Sequence, residues 1–89
     1  MTAAAAQADL VQQQLLRFLE SRTKIFWRPD DDLFASGAIS SLFAMELVLY
    51  LEQTFGITID GDNLTLANFR TVASMTELVC MLRNGEAKR

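Results

Sequence analysis

Apolar side chains recur at helical spacing in three stretches of the 89-residue chain. The first stretch predicts a helix that begins at Asp9, which can cap it, and ends near residues 21–23. The second predicts a helix from residues 40–41 to about Phe55, where a glycine follows, and the third follows the capping residue Thr71. The apolar faces comprise Val11, Leu15, Phe18 and Leu19 in the first helix, Phe43, Ala44, Leu47, Val48, Leu51 and Phe55 in the second, and Val72, Met75, Leu78, Val79 and Leu82 in the third.

The segments between these helices are irregular. Residues 24–40 show no period, yet their apolar content predicts a long loop held over the core by its aromatic residues, with Trp27 as a lid over the first helix. Residues 57–59 are too few to build a sheet, and residues 64–69 suffice for one short helical turn. Ser74 also has the spacing of a capping box, which offers a later start for the last helix. The predicted fold is all-α, a small bundle of three to four helices with a long first loop.

A chain of 10.0 kDa has room for one domain. We expect residues 9–84 to form this domain, and residues 1–8 and 85–89 to be flexible ends. No apolar run reaches the length of about 18 residues that spans a membrane. The net charge of −3 disfavours binding to nucleic acid, whose phosphates need a basic patch. A cytoplasmic location is the default expectation from these features, and we expect the protein to be a monomer.

The residue inventory excludes several kinds of chemistry. The chain has no histidine and one cysteine, Cys80, so it lacks an internal disulfide, an ordinary zinc site and a histidine acid or base. Cys80 lies off the apolar face of the last helix, which predicts a reduced, partly exposed thiol. We therefore expect a protein without catalytic residues and without a metal site.

Acidic residues are concentrated in the middle of the chain. Residues 29–62 contain seven acidic residues and no basic residue, whereas the segment on each side carries a net charge of +2. Such a segment is either a solvated acidic face or a surface that steers a basic partner towards it.

The second helix has more apolar residues than one core-facing side accounts for. Leu42, Met45 and Leu49 lie on its polar side, beside Glu46, and we call these four residues the docking patch. Either the long first loop covers the patch, or the patch is exposed and contacts partner proteins, in which case Met45 adapts to several of them.

Two serines, Ser40 and Ser41, stand at the start of this helix, and either can be a plain N-cap. A serine at a helix N-terminus can also carry a phosphate, because the backbone N–H groups and the helix dipole favour an anion there. Chemistry on such a serine has to come from another protein, since the chain has no histidine to act as a base.

Five short motifs follow one another through the centre of the chain: Asp32-Leu33-Phe34, Gly37-Ala38-Ile39-Ser40-Ser41-Leu42, Met45-Glu46-Leu47, Leu51-Glu52 and Phe55-Gly56-Ile57. Together they resemble an acyl carrier protein, and the resemblance extends over residues 9–83. It implies a helical bundle that carries 4′-phosphopantetheine through a phosphodiester, placed there from coenzyme A by a phosphopantetheinyl transferase. The attachment residue that it implies is Ser41, because Ser41 precedes a leucine. Ser40 stands where the family usually has Asp.

A narrower resemblance concerns the cargo. The segments Ser41-Leu42-Phe43-Ala44-Met45 and Asn68-Phe69-Arg70-Thr71 are similar to freestanding carriers of polyketide pathways that handle glycerate-derived units. This similarity implies a glyceryl-loading enzyme, and dehydrogenases with a methyltransferase that convert the thioester to a hydroxymalonyl or methoxymalonyl extender. It also implies an acyltransferase or synthase module that receives the extender, in antibiotic biosynthesis.

Two other functions remain open from the sequence. The chain could be a carrier for aminoacyl or peptidyl groups. Such a carrier has the same fold as a glyceryl carrier and differs from it in the cargo. It could also be a helical adaptor that binds one partner through the docking patch and uses Ser41 only as a cap.

Overall fold

The computed structural model describes the backbone of residues 3–83 and the side chains of residues 7–83. Four α-helices follow one another in this range, α1 (Ala3–Thr23), α2 (Ser41–Phe55), α3 (Leu66–Phe69) and α4 (Val72–Arg83). One 3₁₀ turn, Gly61–Asn63, precedes α3, and no strand forms among the described residues. The predicted all-α bundle is confirmed.

The boundaries of the helices agree with the sequence except at the start of α1. The start predicted at Asp9 is wrong, because α1 already begins at Ala3 and Asp9 is an exposed residue within it. The alanines that precede Asp9 explain the difference, since alanine has the highest helix propensity of all residues. Flexible ends at 1–8 and 85–89 stay a prediction, and residues 85–89 lie outside the described range.

The core lies between α1 and α4, which pack most extensively against each other, and α2 closes it from one side. The apolar faces predicted for the three long helices are confirmed as the sides that face this core. Their fully buried members are Val11, Leu15 and Leu19 of α1, Leu47 and Leu51 of α2, and Val72, Met75 and Val79 of α4. Phe18, Phe43, Val48, Phe55 and Leu82 are only partly buried, at the edge of the same core.

Residues 24–40, which we call loop 1, pack against the bundle as predicted. Leu33 is fully buried, and its backbone N–H donates to the carbonyl of Arg70 at 2.8 Å. The Ala73 N–H donates to the carbonyl of Pro29, also at 2.8 Å, so two backbone hydrogen bonds join loop 1 to the region where α3 ends and α4 begins.

The aromatic residues of loop 1 differ in how they contribute. Trp27 is buried as predicted, and its indole Nε1–H donates to Thr23 Oγ1 at the end of α1 (3.0 Å). Phe34 is partly buried, whereas Phe26 is 79% exposed and does not hold the loop to the core. The apolar residues that bury themselves here are therefore Trp27, Leu33 and Ile39, and only one of them is aromatic.

The start of α4 is capped by Thr71. The Thr71 hydroxyl oxygen accepts a hydrogen bond from the Ser74 backbone N–H at 3.0 Å, which is the geometry of an N-cap. The alternative start at Ser74 is wrong, because Ser74 lies inside the first turn and its hydroxyl contacts Thr71 instead.

No helix within residues 3–83 combines the length and the apolar content that crossing a bilayer requires.

Candidate functional site

The two adjacent serines at the start of α2 have different roles. Ser40 has extended backbone angles, and its side-chain oxygen accepts a hydrogen bond from the Phe43 N–H at 3.2 Å. The Ser40 carbonyl accepts the first helical bond, from the Ala44 N–H at 3.0 Å. Ser40 is therefore the N-cap, and Ser41 is the first residue of the helix.

Because Ser40 supplies the cap, the hydroxyl of Ser41 is not needed for it. Ser41 is exposed, and its hydroxyl has no hydrogen-bond partner within the part of the chain that the structure describes. A side-chain oxygen in this position is accessible to an enzyme and free to form a new bond.

The N-terminus of α2 suits a phosphodiester. The first helical bond begins at Ala44, and Ser40 satisfies Phe43, so the N–H groups of Ser41 and Leu42 precede the hydrogen-bonded turns. The first turn of α2 contains no acidic residue, so no like charge opposes an anion there. Backbone N–H groups and the positive end of the helix dipole stabilise a phosphate in such a place.

The apolar residues of the docking patch are exposed to solvent. Leu42 is 80% exposed, Met45 59% and Leu49 54%, so loop 1 leaves more than half of each residue uncovered. The alternative in which loop 1 covers these residues is therefore wrong. Since monomeric proteins rarely leave adjacent apolar side chains exposed, this side of α2 has the character of a contact surface.

Some acidic residues of the segment 29–62 form ion pairs with basic residues that lie far from them in the sequence. Glu46 of the docking patch forms an ion pair with Arg22 of α1, and Asp32 of loop 1 pairs with the Nε of Arg70 at 3.3 Å. Glu52 of α2 accepts a hydrogen bond from the Ile59 N–H at 2.9 Å. Two of the seven acidic residues in this segment are thus paired with basic residues from the flanking segments.

An open apolar cleft of about 450 Å³ lies beside Ser41, and the sequence did not reveal it. It is bounded by α2, by loop 1 and by the segment around α3. Its lining residues are Phe34, Ser41, Ala44, Met45, Val48, Leu64, Thr65, Leu66 and Phe69. The available signal in the sequence was the apolar pair Leu64 and Leu66 at the start of the α3 region, and both residues are exposed in the structure.

The remaining candidate for chemistry, Cys80, is a partly buried free thiol on α4. Burial raises the pKa of this thiol above its ordinary value, and the nearby positive charge of Arg83 offsets only part of that increase. A raised pKa keeps the sulfur protonated at neutral pH, where a thiol is a poor nucleophile. Within the described residues, no three histidine, cysteine or carboxylate side chains are grouped as a metal site would require.

The family model described as "Phosphopantetheine attachment site" matches residues 9–79. The chain belongs to this family of carrier domains, which hold 4′-phosphopantetheine covalently and are generally non-catalytic. Such domains interact with a phosphopantetheinyl transferase and with acyl-processing enzymes. No curated protein and no solved structure was found to match the chain.

Replacing each serine separately distinguishes the cap from the free hydroxyl. We expect Ser40→Ala to lower the free energy of unfolding by about 1 kcal/mol, because Phe43 loses its capping partner. Ser41→Ala, the matched control one residue away, should change it by less than about 0.5 kcal/mol. Urea unfolding followed by circular dichroism measures both, and equal losses in the two variants would contradict these assignments.

Proposed function

We propose that this protein is phosphopantetheinylated on Ser41 and shuttles a thioester-bound acyl unit between biosynthetic enzymes, without catalysing a reaction itself. The observation that carries the proposal is the exposed Ser41 hydroxyl at the start of α2, beside a neighbouring serine that caps the helix in its place. The membership of the chain in the phosphopantetheine-attachment family supports the carrier function, and Ser41 is the serine in the matched range that precedes a leucine, as in the acyl carrier proteins that the chain resembles.

The attachment reaction needs one oxygen nucleophile from this chain and everything else from the transferase. Ser41 Oγ forms a bond to the phosphorus of coenzyme A next to pantetheine, while the pyrophosphate bond breaks and adenosine bisphosphate leaves. The transferase supplies Mg²⁺ and the base that takes the hydroxyl proton, because this chain contains no histidine. Once bound, the group supplies a terminal thiol that carries the cargo as a thioester.

The docking patch lies on the same helix as Ser41, and it begins at the next residue, Leu42. Exposed apolar residues next to an attachment point allow a partner enzyme to bind the helix and to receive the arm in one encounter. We therefore assign Leu42, Met45, Glu46 and Leu49 to contacts with the transferase, with an acyl-loading enzyme and with the enzymes that process the thioester.

For the cargo, we propose a glycerate-derived unit such as methoxymalonyl, loaded as a glyceryl group and processed by dehydrogenases before an acyltransferase or synthase module accepts it. The chemistry of the cleft is compatible with a polar cargo that stays outside. Apart from Ser41 and Thr65, the lining side chains are apolar, so a hydroxyl group buried there has few partners. We propose that the protein acts in polyketide antibiotic biosynthesis, as a monomer in the cytoplasm.

Incubation with coenzyme A, Mg²⁺ and a broad-specificity phosphopantetheinyl transferase tests the attachment. We expect the intact mass of the wild type to increase by one phosphopantetheine group, the increase to persist in Ser40→Ala and to vanish in Ser41→Ala. A known carrier protein in the same assay shows that the transferase is active. Failure of the wild type to gain mass, with that control loaded, would favour an adaptor whose Ser41 is only a helix residue.

Replacing Met45 tests the docking patch independently of the attachment residue. We expect Met45→Glu to keep the helical content and to slow loading by at least about fivefold, since truncating a central contact costs more than about 1 kcal/mol. Leu10→Glu is the matched control, because Leu10 is equally apolar, 60% exposed and located on α1. Equal slowing in both variants would remove Met45 from the partner surface, and loss of helicity would show that it supports the fold.

The cargo can be identified on the protein isolated from its own host. We expect mass spectrometry of the loaded chain to find a glyceryl, hydroxymalonyl or methoxymalonyl thioester on the arm, and mild base or hydroxylamine to release it. An aminoacyl or peptidyl mass at the same position would replace this cargo proposal while leaving the carrier function in place.

A further inference from the structure

Arg22 of α1 contacts an aromatic ring and an acidic side chain at the edge of the docking patch. Its guanidinium lies 4.9 Å from the centre of the Phe18 ring, and it forms an ion pair with Glu46 across the gap between α1 and α2. Arg22 and Glu46 also border one shallow depression together with Leu49, so the arginine adjoins the apolar part of the patch.

The Phe18 ring next to Arg22 is itself packed against two other aromatic rings. Phe18 stacks on Tyr50 with ring centres 4.0 Å apart and lies parallel to Phe43, with a centre-to-centre distance of 6.1 Å. These rings come from α1 and α2, and they fix the base on which the guanidinium rests. A planar guanidinium that is already stacked loses less freedom when it pairs with a carboxylate, so this pair is better ordered than an isolated surface pair.

The ion pair changes the charge that an approaching protein meets. Leu42, Met45 and Leu49 carry no charge, and Glu46 is the acidic residue among the four that form the patch. With Arg22 bound to it, the patch is apolar and electrically neutral. Both side chains are about half exposed and Arg22 contacts Oε1 of Glu46, so a lysine or arginine of a partner meets a carboxylate whose charge Arg22 already offsets.

We propose that Arg22 is a specificity-determining residue of the docking patch, which it makes selective for partner enzymes with an apolar, uncharged docking face. This proposal rests on the carrier function proposed above and adds the kind of partner that the carrier fits. Arg22 acts by occupying Glu46, and a partner that depends on a basic residue at this point is disfavoured. The selection operates through long-range attraction and the association rate, which rim charges control more strongly than they control dissociation.

The test compares Arg22→Gln, Glu46→Gln and the double variant in binding to a phosphopantetheinyl transferase whose docking face is basic. At low salt we expect Arg22→Gln to raise the association rate constant roughly three- to tenfold and to steepen its dependence on salt. The gain should disappear in the double variant, because the exposed carboxylate is then absent. Arg17→Gln is the matched control, since this substitution removes the same charge from α1. Arg17 borders a different depression, beside Glu20.

A gain in Arg22→Gln no larger than in Arg17→Gln would overturn the proposal, and so would a gain that survives the loss of Glu46. A second measurement needs no carrier activity: titration of the unmodified protein with trilysine, followed by NMR. We expect the amides around Glu46 to shift in Arg22→Gln and to shift much less in the wild type; equal shifts would also overturn the role of Arg22. If the wild type is never loaded on Ser41, the carrier function fails separately, while the titration still decides whether Arg22 shields Glu46.

Discussion

The apolar side of α4 is the constraint on which the other elements depend. Met75 and Val79 are fully buried where α4 packs against α1, and the start of the same helix holds loop 1 through the hydrogen bond from Ala73 to Pro29. Loop 1 in turn leads directly into Ser40 and α2. The position of the serine-bearing helix thus follows from burial at α4, although α4 contributes no residue to the site, and a change in that core would displace the site indirectly.

At the start of α2, two adjacent serines differ in what their side chains do. Ser40 closes the helix, which leaves the Ser41 oxygen available for a covalent bond, and the absence of acidic residues in the first turn keeps the helix dipole uncompensated. The adjoining apolar side chains Leu42, Met45 and Leu49 are exposed, and a contiguous exposed apolar patch has the character of a contact surface.

Local chemistry made much of this structure predictable from the sequence. The extent of α2, the start of α4 and its Thr71 cap depend on residues within a few positions of each other, and they were predicted correctly. The sequence left open which of the two serines caps α2. The pairs Arg22–Glu46 and Arg70–Asp32 were not predictable, because each joins residues from distant segments whose relative placement only the complete packing determines. The cleft beside Ser41 escaped prediction for the same reason, since three separate segments form its walls.

The backbone hydrogen bonds of loop 1 also set an order of events during protein synthesis. Leu33 and Pro29 bond to Arg70 and Ala73, which are translated well after the whole of α2. While α2 leaves the ribosome, loop 1 therefore lacks both of these partners. The loop that leads to Ser41 reaches its folded arrangement only after the start of α4 has been synthesised.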